Sequence, residues 1–299
     1  MCRLFGFNAG GEDIHAEYWL VDAPDSMRVE GERNPDGTGI GWFSSDNDPH
    51  MDKQPMSAAK DAEFAHEARK VDTSLLVSHV RMTLLPHKRM TGLGEDHLAV
   101  DTHPFLIKDR LVAHNGGFGD LAKVEEYLGG YMQYVQGHTD SERYAALIAM
   151  ETDKADGDVG AGLAAAANWL SQNVPMYSLN CIVIADGQLW ALRYPDQRSL
   201  HVATRVLQPA SGDETSDQPK ASWEGKSALA HHRLSADQPA TTVLVASERI
   251  DDQDDWRLLA SGELLHVDKD LQVSSTPAVS QPPKHLHLPD EADPNDDTN

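Results

Sequence analysis

The chain has 299 residues and carries 25 Lys+Arg against 48 Asp+Glu, a formal net charge of -23. That charge repels polyphosphate backbones and argues against nucleic acid as a partner, and no stretch reaches the 18 or so uncharged apolar residues of a membrane helix. Two cysteines, Cys2 and Cys181, are too few for a disulfide framework; nothing at the N-terminus resembles a secretory leader, so a cytoplasmic location is expected.

Residues 2–9 (CRLFGFNA) are apolar and aromatic enough for a buried strand. A turn at Pro35-Asp36-Gly37 leads into a second strand ending at Phe43. Residues 44–62 are polar and broken by prolines, whereas 74–81 (SLLVSHVR) is strongly β-like and 85–101 reads as a long loop. Residues 102–118 predict a hairpin turning near Lys108-Asp109. Helical text covers 120–128, and a second helix starts after Thr139, whose hydroxyl can cap it in a capping box with Glu142. The alanine-rich stretch 159–173 is a third helix. Residues 177–194 form a hairpin around Asp186-Gly187, followed by a strand at 201–206, a polar insertion at 208–238, a β run over 241–250 and a hairpin of 263–267 with 271–275. From 276 to 299 the text is acidic and Pro-rich and predicts a disordered tail, leaving a domain over 2–275. Many strands with helices clustered mid-chain, without regular βα alternation, indicate an α+β layered domain of packed sheets.

The aspartate-heavy balance, 32 Asp to 16 Glu, with 14 Arg to 11 Lys, is what a chain working in high salt needs; a halophilic or salt-tolerant source is expected. The GTGIG run at 37–41 superficially suggests a phosphate cradle, but Trp42 replaces the third glycine of GxGxxG and no P-loop lysine follows. His231-His232 and the His285/His287 pair supply too few ligands in a mobile context for a metal site. No metal and no cofactor is expected.

Five residues carry chemistry. If the small side chain at position 2 lets Met1 be removed, Cys2 holds a thiol and a free α-amine on one residue, a nucleophile beside its base. Read alone, Cys2 fits a buried strand residue better than a catalyst. In AHNGG, Asn115 offers a side-chain amide and Gly116 or Gly117 an approachable backbone N–H, the two donors an oxyanion needs, although Asn-Gly alone reads as a turn. Arg81 closes a strand and can grip a carboxylate with two parallel hydrogen bonds. Asp140 opens a helix, where it serves the helix dipole or binds an ammonium. Together the last two match the charged ends of an α-amino acid. His103 is expected to support the fold near this site, and Cys181, in the run NCIVIA, to be core.

The motifs MCRLFGF, NPDGTGIGWF, SHVR, THPF, AHNG and HTDSE occur in this order, and in this combination the chain resembles the class II (N-terminal nucleophile) glutamine amidotransferases. It is most similar to their compact stand-alone type, such as the γ-glutamyl hydrolases of ergothioneine biosynthesis. The resemblance implies a four-layered αββα fold and glutamine hydrolysis through a thioester on Cys2. It further implies Asn115 and Gly116 as the oxyanion hole, Arg81 on the α-carboxylate and Asp140 on the α-amine. A separate synthetase subunit would accept the ammonia. Alternatives are a dedicated γ-glutamyl hydrolase acting on a thiol compound, and a non-catalytic binding protein that kept the fold. The chain departs from the family at Thr38, where an aromatic residue is common, and between 82 and 101, where MTLLPH does not match the Thr-His pair that members with a fused synthase carry after the HxR motif.

Overall fold

The computed structural model describes residues 2–82, 99–207, 240–251 and 253–286. Most of the loop expected at 85–101, the 208–238 insertion, His231, His232 and His287 lie outside these residues. In chain order the strands are β1 (Arg3–Asn8), β2 (Ile14–His15), β3 (Gly37–Phe43), β4 (Pro49–Gln54), β5 (Asp72–Thr73), β6 (Leu75–Arg81), β7 (Phe105–Ile107), β8 (Arg110–Phe118), β9 (Met176–Ala185), β10 (Gln188–Arg193), β11 (His201–Leu207), β12 (Ala240–Ala246), β13 (Arg257–Leu258), β14 (Glu263–Val267) and β15 (Val273–Pro277). The helices are α1 (Met27–Arg33), α2 (Ala62–Lys70), α3 (Leu121–Leu128), α4 (Asp140–Lys154) and α5 (Val159–Asn173). A π-helical stretch spans Tyr18–Asp22.

Thirteen of the strands form two antiparallel sheets, seven in the order β13-β11-β12-β1-β6-β3-β4 and six in the order β15-β14-β10-β9-β8-β7. Period-two alternation divides their side chains among three cores. Leu4, Val77, Leu111, Ala113, Ile182 and Val245 meet between the sheets. Phe5 and Phe7, one position out of phase with Leu4, face α1, α2 and the π-helical stretch, where Trp19 packs on both rings. Each phenylalanine is fully buried, which is worth roughly 1.5–3 kcal/mol apiece. The outer face of the six-stranded sheet packs under α3, α4 and α5 through Val183, Tyr144 and Leu163. The result is helix, sheet, sheet, helix, the four-layered αββα arrangement.

Local chemistry fixes several boundaries. Thr139 caps α4 by accepting the Glu142 N–H at 3.2 Å, but the Glu142 carboxylate reaches back past Thr139 to the N–H groups of Gln136 and Gly137, so the capping box is stretched. Asp158 caps α5 by accepting the Ala161 N–H at 2.9 Å. At the β9–β10 turn Asp186 and Gly187 both have positive φ, 45° and 71°, the two-residue geometry that favours such a pair.

The glycines of β3 have a packing reason. A Cβ on Gly39 would overlap the His103 carbonyl, and one on Gly41 would lie 2.8 Å from Pro104 Cγ. The THPF segment therefore lies directly across a smooth strand face, and GTGIG belongs to a strand paired on both sides, by β6 and β4.

Two expectations are corrected. The polar text at 44–62 holds an edge strand, β4, and the start of α2; the helices thus cover both outer faces instead of clustering mid-chain. Residues 276–286, expected in the tail, are docked. Asn168 Nδ2 donates to the Ala278 carbonyl at 2.8 Å, Lys284 N–H to the Ser171 carbonyl at 2.8 Å and Met176 N–H to the His285 carbonyl at 2.9 Å. Val279 is buried, which anchors this stretch against α5 despite its prolines.

Candidate active site

Cys2 precedes β1, whose neighbours β6 and β12 run antiparallel to it, so the C-terminal ends of both flank the start of β1. Alternation carries the inter-sheet face of each strand outward to this rim. Leu4 leads back to Cys2, Val77 leads on to His79 and Arg81, and Val245 leads on to Ser247. On the facing sheet Leu111 and Ala113 lead to Asn115. The seam between the sheets thus turns from apolar to polar at one end, and the thiol lies there, half-buried.

The N-terminal strand is clamped by its first residue. Arg3 meets the buried Glu30 at 3.0 Å and Glu248 at 2.7 Å. Cys2 Sγ accepts the Met82 N–H at 3.3 Å and lies 3.5 Å from the Met82 carbonyl. Burial pushes the Cys2 thiol above its ordinary range, and the negative Asp140 carboxylate adds to that rise. The Met82 N–H, the N-terminal positive charge and the Arg81 guanidinium oppose it. Thiolate is favoured only where positive charge outweighs desolvation.

Asn115 crosses the seam. Its Nδ2 donates to the Cys2 carbonyl at 2.9 Å and to Ser247 Oγ at 3.4 Å. Gly116 follows at the closest approach of β8 to β9, where any Cβ would overlap the Ser178 carbonyl and crowd His114 Nε2 at 2.7 Å. Arg81 is 6% exposed, and its Nη1 has no hydrogen-bond partner among the described residues. A buried guanidinium nitrogen left open in this way is ready for an anion. Asp140, first residue of α4, accepts the Phe118 N–H at 3.0 Å, which aims the carboxylate toward the rim where it acts on the thiol. Arg81 and Asp140 thus act on the Cys2 thiol, Asn115 bonds the Cys2 carbonyl, and Gly116 follows Asn115 in β8.

Three histidines lie behind this site in two different states. His114 is buried with both nitrogens engaged: Nε2 lies 3.0 Å from the Ser178 carbonyl and Nδ1 lies 2.9 Å from Ser141 Oγ. A carbonyl only accepts, so Nε2 carries the proton and Nδ1 accepts from the serine hydroxyl. This strut joins β8, beside Asn115, to α4, beside Asp140. His79 and His103 pack against each other at 4.0 Å between ring centroids, with no nitrogen of either ring hydrogen-bonded among the described residues. Burial, then the charge of Arg81, pushes His79 down to about 3; burial also takes His103 well below its ordinary value. Both rings are neutral, so Arg81 is the permanent positive charge of the trio's surroundings.

Lys53 reinforces the same corner. Its Nζ donates to the Thr102 carbonyl at 2.9 Å and sits 5.1 Å over the Phe105 ring. Burial lowers it to about 8, against the pull of Glu142 and Asp101. A cavity of about 670 Å³ opens elsewhere, on the outer face of the six-stranded sheet beside Arg110, Asp158, Trp190 and His266. None of the five residues lines it. Among the described residues no three His, Cys, Asp or Glu side chains gather to hold a metal ion, and no helix is long and apolar enough to cross a membrane.

The family model of class II glutamine amidotransferases matches residues 1–290. The chain belongs to this family. Among its relatives is the Saccharomyces cerevisiae protein described as probable glutamine amidotransferase DUG3, 25% identical over 188 residues, which are 54% of this chain and 50% of that protein. The matched region thus spans about half the length of that curated relative. The fold recurs in a glutamine aminotransferase class-II domain protein from Silicibacter pomeroyi, at TM-score 0.57 and 19% identity, covering 92% of this chain and 98% of that one. It recurs too in the glutamine phosphoribosylpyrophosphate amidotransferase of Bacillus subtilis, at TM-score 0.59 and 15% identity, covering 95% of this chain and 51% of that one.

Sequence reasoning passed over Ser247, Met82 and the His114 strut. Ser247 was findable: in TTVLVASERI the alternation puts Val243, Val245 and Ser247 on one face, so a serine continues an apolar row exactly one step beyond the last valine.

Proposed function

We propose that this amidotransferase hydrolyses the side-chain amide of glutamine, or of a related γ-glutamyl amide, through a thioester on Cys2. Removal of Met1 leaves the α-amine on Cys2 itself. The amine takes the thiol proton as sulfur attacks the carboxamide carbon, so the thiol raised by burial need not ionise beforehand. The C–S bond forms, the carbonyl π electrons move to oxygen, and the Asn115 amide and Gly116 N–H stabilise that oxyanion. The α-ammonium then returns its proton to the leaving nitrogen and the C–N bond breaks, releasing ammonia. Water, deprotonated by the same amine, attacks the thioester, and glutamate departs as the thiol is restored.

Arg81 takes the substrate α-carboxylate and Asp140 its α-ammonium, which fixes the γ-carbonyl at the sulfur. The observation that carries this reading is that a guanidinium and a carboxylate act on the rim thiol while a side-chain amide bonds the Cys2 carbonyl, with Arg81 Nη1 unpartnered among the described residues.

Replacing Asn115 by Ala tests it. Loss of one oxyanion donor is expected to lower kcat about 10²- to 10³-fold; unchanged turnover would overturn the assignment. Turnover of glutamine measured beside a γ-glutamyl thioether names the substrate, and preference for glutamine makes a separate synthetase subunit the consumer of the ammonia.

A further inference from the structure

Ser247 follows β12 and is 3% exposed. It is fastened to the strand that begins at Cys2. Its N–H donates to the Leu4 carbonyl at 2.9 Å, and the Leu4 N–H donates to its Oγ at 2.9 Å. Its carbonyl accepts the Ser199 hydroxyl at 2.7 Å. The second lone pair of Oγ receives Asn115 Nδ2 at 3.4 Å.

A side-chain amide has two N–H groups, and both of those on Asn115 are committed here, one to the Cys2 carbonyl at 2.9 Å and one to Ser247. Asn115 can meet an oxyanion only if one of them changes partner. The two bonds are unequal. At 2.9 Å the bond to the Cys2 carbonyl is near the optimum, whereas 3.4 Å lies beyond the normal range and is the weaker of the two. An oxyanion is a stronger acceptor than a hydroxyl that already receives another N–H.

We infer that Ser247 is the positioning residue of the oxyanion hole, holding the second Asn115 N–H in the resting enzyme and yielding it to the oxyanion as the tetrahedral intermediate forms. With Ser247 and the Cys2 carbonyl both accepting, the amide nitrogen is held against the Cys2 backbone. A flipped amide would set its oxygen against the Cys2 carbonyl, two acceptors in contact. The donor is thus oriented before substrate arrives, which is what makes such a hole effective. This inference rests on the oxyanion role proposed for Asn115.

A double-mutant cycle tests it on the full chain. Ser247→Ala is expected to lower kcat for the amide roughly tenfold, the scale of one hydrogen bond, with KM changed less than about twofold. In an Asn115→Ala background the same substitution is expected to cost nothing further, because its effect acts through the missing amide. Alkylation of Cys2 by iodoacetamide, which forms no oxyanion, should proceed in Ser247→Ala at the wild-type rate. Ser247→Thr, which keeps the hydroxyl, should recover most of the lost turnover. If the alanine variant fails to fold, Ser247→Cys, with a weaker acceptor of similar volume, carries the turnover cycle. A loss of equal size in both backgrounds, or slowed alkylation in Ser247→Ala, would overturn the positioning role. Should Asn115→Ala alone leave turnover unchanged, the oxyanion assignment fails instead, and the two failures are distinguishable.

Discussion

The two cysteines occupy the rim and the middle of the same layered structure. Cys181 lies within β9, pointing into the helix layer under Tyr144, whose hydroxyl is 3.7 Å away. Burial pushes its thiol up to about 12. Cys2 is also raised by burial, but a backbone N–H and a guanidinium oppose the rise and an amide crosses the seam to its carbonyl. Residue type is the same and desolvation acts in the same direction on both. Uncharged groups, the Tyr144 hydroxyl and the Leu192 backbone, oppose the rise at Cys181, whereas at the strand end the charges of Arg81 and Asp140 act on Cys2 as well, so position along the strand decides which thiol feels charge.

The largest break in this comparison is substitution of each cysteine in turn. Cys2→Ala is expected to lower amide turnover by at least about 10⁴-fold, as loss of a nucleophile does. Cys181→Ala is expected to leave turnover intact and cost about 1 kcal/mol of stability through lost packing, read by denaturant unfolding.

Next come the adjacent glycines of β8. Gly116→Ala is expected to destabilise the fold by about 3 kcal/mol or more and abolish activity, since its methyl would overlap the Ser178 carbonyl. A Cβ on Gly117 meets nothing closer than Asp140 Oδ2 at 3.6 Å, so Gly117→Ala should fold with wild-type stability. Equal melting curves for the two variants would contradict this account of the strand.

The electrostatic part of the contrast is read from the pH dependence of Cys2 alkylation. Arg81→Met removes a charge that lowers the thiol, so the alkylation midpoint should move to higher pH. Asp140→Asn removes one that raises it, and the midpoint should move lower. Shifts of the opposite sign would separate these residues from the sulfur.

Much of this arrangement was legible in the sequence because local rules and long-range order agreed. Asp186-Gly187 specifies its own turn, Val159–Asn173 is a helix with its cap, and the ordered motifs carried the site. Other parts were hidden. β4 begins at Pro49 and is an edge strand with no fully buried side chain, so it lacks the apolar alternation that marks a strand. Helix α2 buries only Phe64, Ala65 and Ala68, too narrow a stripe to stand out. The docking of residues 276–286 depends on backbone carbonyls, which any residue supplies. Ser247 and His114 act through partners 27 to 243 residues distant, and no local pattern encodes such a pairing.

The smallest expected effect concerns Lys53, whose folded value near 8 lies below the ordinary 10.5. Below pH 8 it is protonated in both folded and unfolded chains. Between about 8 and 10.5 the unfolded chain holds a proton the native one has lost, so this residue makes stability rise with pH across that window. Lys53→Met should remove that rise. An unchanged difference between unfolding free energies at pH 8 and 10 would contradict the burial of its amine.

The central claim is that Cys2, freed of Met1, is the nucleophile. Intact-mass analysis of active protein treated with a glutamine-shaped electrophile tests it most directly. The account predicts a chain lacking Met1 that gains one adduct on Cys2, with glutamine protecting against it and Cys181 unmodified. An active protein that retains Met1, or one that stays fully active with Cys2 modified, would contradict it.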